Sequence, residues 1–178
     1  MNGIIAYKGK YGATKQYAKW LGKDLGLPVY NAAEFPKKGV RLCDFIIIGS
    51  SVYIGKLQIS QWLKSDVNVL TGKKNFFFQV AGTPLGQKEK LETYIRSGVP
   101  KELIPGCDFF YYPGKMAIRE LSWTDRFTLK MGARIAKDPA ARKAMLTDYN
   151  EVKKENIAGL VNAVKNFCAV KKETAQPA

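Results

Sequence analysis

Two rhythms of apolar positions alternate along this chain. Residues 3–7 form an unbroken apolar run, and Tyr17, Trp20, Leu21 and Leu25 then recur at helical spacing. The pattern predicts a strand and a helix over 13–25, with Gly26 ending the helix. A short strand is expected at 27–30, followed by a loop over 31–42 that carries Pro36, Lys37, Lys38 and Gly39. Asp44-Phe45-Ile46-Ile47-Ile48-Gly49 holds a continuous β-branched and aromatic run, and 75–81 holds the aromatic run Phe76-Phe77-Phe78. Such runs fit strands buried on both faces, as in a parallel sheet covered by helices. Ile59, Trp62 and Leu63 mark the inner face of one helix, and Leu91, Tyr94 and Ile95 that of another over 88–97. A fifth strand is expected at 107–112. Ser122-Trp123-Thr124-Asp125 reads as a capping box opening a helix to about Lys137. Asp148 with Glu151 reads as a further cap, before a last helix carrying Val152, Ile157, Leu160, Val161, Val164 and Phe167. Trp20 and Trp62 are expected as core anchors.

The order is β-α-β-β-α-β-α-β-α-α, which predicts right-handed crossovers and a parallel sheet. One domain is expected over 1–170, with a frayed polar tail at 171–178. In such sheets ligands bind at the carboxyl ends of the strands, beside the point where the strand order reverses. Three loops at those ends are rich in Gly, Ser or Thr, and they supply the candidate site. The first holds Lys8, Gly9, Lys10, Tyr11, Gly12, Ala13 and Thr14. The second holds Ser50, Ser51, Val52, Tyr53, Ile54 and Gly55, and the third Ala81, Gly82, Thr83 and Gly86. A fourth end falls at 113–116. In the first loop a strand passes through two glycines into a helix, so backbone N–H groups and the helix dipole favour an anion. The spacing is neither G-x-x-x-x-G-K-[ST] nor G-x-G-x-x-G, which argues against nucleoside triphosphate hydrolysis and against a dinucleotide fingerprint.

Chemistry is narrowed by what the chain lacks. It contains no histidine, which removes Ser-His-Asp and Cys-His catalysis and argues against a zinc or haem site. No catalytic side chain and no metal ligand are singled out, so redox or group-transfer chemistry would come from a cofactor. Cys43, Cys107 and Cys168 are widely spaced and odd in number, as expected for reduced thiols packed as small hydrophobes in a cytosolic protein. No run approaches about 18 apolar residues, and the first residues read as a strand rather than a secretory signal. The net charge is +14, from 29 Lys+Arg against 15 Asp+Glu. Such a field attracts phosphorylated ligands, acidic proteins or anionic head groups. No nucleic-acid-binding motif accompanies it. Trp123 and Phe127 lie four residues apart with Arg126, Lys130 and Arg134 nearby. Two uses are open for them: packing on the domain, or contact with a membrane surface or an acidic partner.

Ile5, Tyr7, Gly12, Thr14, Ala18 and Leu21 resemble the signature of the flavodoxin family, while Ala6 and Gly9 depart from it. That resemblance implies a three-layer α/β/α sandwich, flavodoxin-like, with a five-stranded parallel sheet of order 2-1-3-4-5, and FMN as the cofactor. It implies that residues 8–14 hold the phosphate and that residues 50–55 and 81–86 flank the isoalloxazine, with Tyr53 a stacking candidate. Gly9 stands where the family usually has a hydroxyl, which implies one side-chain donor fewer, with Lys8 or Lys10 compensating. The first loop, Gly49-Ser50-Ser51-Val52-Tyr53-Ile54-Gly55, Trp123-Thr124-Asp125-Arg126-Phe127-Thr128-Leu129-Lys130 and Thr147-Asp148-Tyr149 further resemble flavodoxin-like, menaquinone-dependent protoporphyrinogen oxidases. The expected function is an FMN-binding redox protein carrying electrons through a bound flavin. Its alternatives are a quinone-dependent protoporphyrinogen oxidase and a flavin-free regulatory or scaffold domain. The expected partners are a redox protein or quinone and an anionic membrane. The expected location is the cytoplasm, or the inner face of the membrane.

Overall fold

A computed structural model describes residues 2–35, 43–136 and 138–173. The apolar runs become strands β1 (Gly3–Lys8), β3 (Phe45–Tyr53), β5 (Lys74–Ala81) and β6 (Cys107–Pro113), joined at one edge by β2 (Val29–Asn31). These five strands are parallel, in the order β2-β1-β3-β5-β6. The five-stranded 2-1-3-4-5 order expected from the resemblance is therefore observed, with one addition. Strand β4 (Lys56–Leu57) folds back antiparallel onto β3.

Strand periodicity splits the apolar residues between two cores. Ile5, Tyr7, Phe45, Ile47, Phe76, Phe78 and Val80 point to one face, against α1 (Ala13–Leu25) and a last helix, Ala158–Glu173. Ile4, Ala6, Ile46, Ile48 and Phe77 point to the other, against α2 (Ser60–Ser65), α3 (Val67–Leu70) and α4 (Lys88–Gly98). Side chains alternate across a strand, so continuous apolar runs need helices on both sides. Trp20 and Trp62 serve as half-buried edge anchors, each edge-on to a neighbouring ring, Tyr17 at 5.7 Å and Phe35 at 5.1 Å.

Between β6 and the last helix the chain makes an excursion over 114–150. It holds β7 (Lys115–Met116), α5 (Trp123–Ile135), α6 (Pro139–Met145) and β8 (Tyr149–Asn150), with β7 and β8 paired antiparallel. The last helix is therefore α7 (Ala158–Glu173).

Several expectations are corrected here. Ser50–Tyr53 is not loop: β3 runs on through it, because Val52 and Tyr53 pair with Leu57 and Lys56. Asp148 does not cap the last helix. Its carboxylate accepts from the Ile118 amide at 2.8 Å inside the excursion, and α7 begins only after a 3₁₀ turn at Lys154–Ile157. Helix α7 runs to Glu173, so residues 171–173 of the expected tail are helical. The expected loop carrying Pro36, Lys37, Lys38 and Gly39 lies outside the described residues, as do residues 174–178. Among the described residues no helix is long and apolar enough to cross a membrane.

Candidate functional site

The sheet register sets the site's edge. Tyr7 pairs with Gly49 and Lys8 with Ser50, Ser51 with Val80, and Ala81 with Pro113. The carboxyl ends of four strands thus finish along one edge, β3 running a few residues past β1. Chain order reverses at β1 and β3, where a crevice forms between connections that leave on opposite faces.

The first loop meets α1 at Gly12, which sits in the left-handed region at φ 83° and starts the helix without a side-chain cap. Helical bonding begins at the Gln16 amide, 2.9 Å from the Gly12 carbonyl. The amides of Ala13, Thr14 and Lys15 therefore lack helical acceptors and face an anion position. Thr14 is 1 % exposed, and its Oγ1 has no hydrogen-bond partner. A buried hydroxyl left unpaired costs about 1–3 kcal/mol, so this one awaits an acceptor. Gly9 lies against it: a Cβ there would stand 2.6 Å from Thr14 Oγ1 and 2.7 Å from Thr14 Cβ. Position 9 lacks a hydroxyl because Thr14 occupies the space. A further cation, Lys115 of β7, brings its Nζ within 4.0 Å of where a Gly12 side chain would begin.

Helix α5 crosses above this loop. Ser122 caps it as expected, accepting from the Asp125 amide at 3.2 Å. The Asp125 carboxylate does not complete a capping box, however; it turns inward and is 8 % exposed. Lys10 Nζ donates to Asp125 Oδ2 at 2.7 Å, Tyr11 OH donates to the same oxygen, and Tyr53 OH donates to Oδ1. Lys10 also donates to the Tyr53 hydroxyl at 3.2 Å and lies 4.5 Å from the Tyr53 ring centre. A buried carboxylate requires such partners. The bond to Asp125, and then that to Tyr53, hold the Lys10 ammonium above the usual lysine range. One side chain of the excursion thus ties the first loop to the end of β3 from above.

Between roof and sheet edge lies a cavity of about 440 Å³, within the roughly 300–1,000 Å³ of small-molecule sites. Of the residues proposed from sequence, Lys10, Tyr11, Ala13, Thr14, Ser51, Val52, Tyr53, Ile54, Ala81 and Gly82 line it. Lys8, Gly9, Gly12, Ser50, Gly55, Thr83 and Gly86 do not. Ser50 is wholly buried behind the wall and accepts from the Ile59 amide at 3.3 Å, and Thr83 lies 3.3 Å from the Tyr94 hydroxyl. The excursion adds Lys115, Met116, Asp125, Leu129 and Tyr149, which sequence reasoning did not place in the site. The Tyr149 hydroxyl sits against Gly82, and burial raises its phenol above the usual tyrosine value. Asp125 stood in a stretch already singled out, but its capping-box reading gave its carboxylate a local use. The site is thus an anion end, built from a helix N-terminus with an unpaired hydroxyl and cations, joined to a largely apolar chamber. That arrangement suits a phosphate carried on a flat ring.

Residues 4–143 match the family model described as flavodoxin domain. Among solved structures, oxidised Flavodoxin 2 from Bacillus cereus is 15% identical, with a TM-score of 0.46, 82% of this chain covered and 98% of that one. The flavodoxin, WrbA-like protein from Agrobacterium tumefaciens is 18% identical at a TM-score of 0.45, covering 80% and 98%. Two-electron reduced Megasphaera elsdenii flavodoxin is 15% identical at 0.46, covering 61% and 82%. No curated protein matches the chain.

Proposed function

The chain belongs to the flavodoxin domain family, and from that premise we propose that it binds FMN in the roofed cavity and carries electrons through it. The observation that carries this reading is the unpaired Thr14 hydroxyl at the head of α1, at the anion end of an apolar chamber. FMN, when bound, supplies one- or two-electron transfer that no side chain here could perform.

The chain's own part is positioning and electrostatics. Thr14 Oγ1 and the first amides of α1 receive the phosphate, with Lys115 as a nearby cation, while the Lys10 ammonium is bonded to Asp125. Val52, Tyr53, Ala81 and Gly82 wall the space for the ring. Leu129 and Met116 exclude water from above. The test is the visible spectrum of the purified protein, with FMN added if it is colourless. Bands near ~370 and ~450 nm on the protein fraction are expected for an oxidised flavin. Colourless protein with no thermal shift on adding FMN would reverse the reading and favour a flavin-free scaffold.

A second reading is favoured by the roof. A chamber closed over by the excursion suits a flavin that oxidises a substrate held inside. The Trp123-Thr124-Asp125-Arg126-Phe127 stretch resembles quinone-dependent protoporphyrinogen oxidases. Turnover of protoporphyrinogen with menadione as acceptor supports that enzyme; FMN-loaded protein without turnover supports the carrier.

A further inference from the structure

Among the described residues, helix α5 is held from one side only. Asp125, Leu129 and Ala133 face inward, toward the cavity and the domain. The opposite side carries an apolar stripe at four-residue spacing. Trp123 is 77% exposed, Phe127 62%, Met131 39% and Ile135 75%. Residues four apart stack along one side of a helix, so the stripe runs the length of α5. Arg126, Lys130 and Arg134 flank it and are exposed. The helix's one carboxylate, Asp125, is spent inward on Lys10, Tyr11 and Tyr53, so its outer side presents only positive charge.

A second observation lies at the mouth of the same cavity. Ile54 has φ 46° and is 65% exposed. A β-branched residue in the left-handed region is strained, and glycine or asparagine would serve this turn better. Burial does not repay the strain. The isoleucine makes sense if its side chain meets an apolar phase outside the protein.

We infer that the outer face of α5, with Ile54, seats this protein on an anionic lipid bilayer and brings the cavity mouth to its surface. A convex stripe of Trp, Phe, Met and Ile between cations matches the interface of head groups and acyl chains. Net charge decides against a second copy as the occupant, because two chains at +14 repel. The inference does not rest on flavin binding, and FMN titration reports separately on that reading.

Flotation with phosphatidylcholine vesicles containing phosphatidylglycerol, against pure phosphatidylcholine vesicles, tests it. The wild-type protein should float with the anionic vesicles and lose much of that binding in high salt. The double variant Trp123→Ser/Phe127→Ser should bind them ~10-fold more weakly, and Lys130→Glu/Arg134→Glu should lose the preference for anionic lipid. None of these four residues lines the cavity, so all variants should keep wild-type circular dichroism and FMN affinity. Wild-type protein that stays with neither vesicle overturns the inference. So does binding that survives the Trp123→Ser/Phe127→Ser change. So does vesicle-independent capture of an acidic protein through the same face.

Discussion

Thr14 and Gly9 set the anion end between them. Thr14 Oγ1 is buried and unpaired, so removing it should not harm the empty fold. Thr14→Val should leave thermal stability equal or higher, since deleting an unsatisfied buried polar atom is close to neutral. The same change should weaken FMN by roughly 10–100-fold, the equivalent of one hydrogen bond to a charged group at about 1.5–3 kcal/mol. Riboflavin, without a phosphate, should be nearly indifferent. Equal losses for both ligands, measured by fluorescence titration, would place the hydroxyl elsewhere. Gly9 makes the opposite prediction to the family pattern. A serine at 9 would drive its Cβ into Thr14, and overpacking costs typically about 1–3 kcal/mol. Gly9→Ser should therefore lower both stability and FMN affinity; a gain in affinity would show that the loop can open to admit the hydroxyl.

At the level of elements, Asp125 is the tether that joins the roof helix to the sheet edge. Asp125 joins α5 to the first loop through Lys10 and Tyr11 and to β3 through Tyr53. Asp125→Ala should cost about 1.5–3 kcal/mol of stability and speed exchange of bound FMN, read by melting and by stopped-flow release. Release at an unchanged rate would show that the roof is not what retains the ligand. The tether also carries a pH signature. Lys10 titrates above its usual 10.5 because the charged form is bonded to Asp125. A raised folded value means that the stabilisation is complete below the unfolded value and lost as pH rises through the folded one. The melting temperatures of wild-type and Asp125→Ala protein should thus differ most at neutral pH, and the gap should narrow as pH rises beyond about 10.5 and the Lys10 contribution is lost.

The whole molecule acts through its charge. Reduction places negative charge on a bound flavin, and a protein at +14 favours that state. Spectroelectrochemical titration should place the two-electron potential above that of free FMN. The difference should shrink with salt, as screening shortens the reach of surface charges to about 10 Å at 0.1 M. A potential well below free FMN would mean that local groups such as Asp125 outweigh the global field. The thiols stay outside this chemistry. Cys43, Cys107 and Cys168 pack at the margins of the two cores, and burial pushes the Cys107 thiol up to about 12.

The sheet and the place of its ligand edge are legible in the apolar pattern of the chain. Ile46, Ile47, Ile48 and Phe76, Phe77, Phe78 are unbroken apolar runs, and burial on both faces leaves them little but a parallel, doubly covered sheet. The glycines, serines and threonines at the strand ends followed from the same local rule, and ten of the residues proposed there line the cavity. The roof follows from contacts between distant parts of the chain. Asp125 is 115 residues from Lys10 and 72 from Tyr53, and nothing local distinguishes a carboxylate closing a capping box from one turned into a cavity. The same holds for Gly9: its neighbour Thr14, five residues on, fills the space a side chain there would need. It holds too for Trp123 and Phe127, whose spacing suits a core as well as a surface. Periodicity shows that a helix has an apolar side; which side meets the protein depends on contacts made far along the chain.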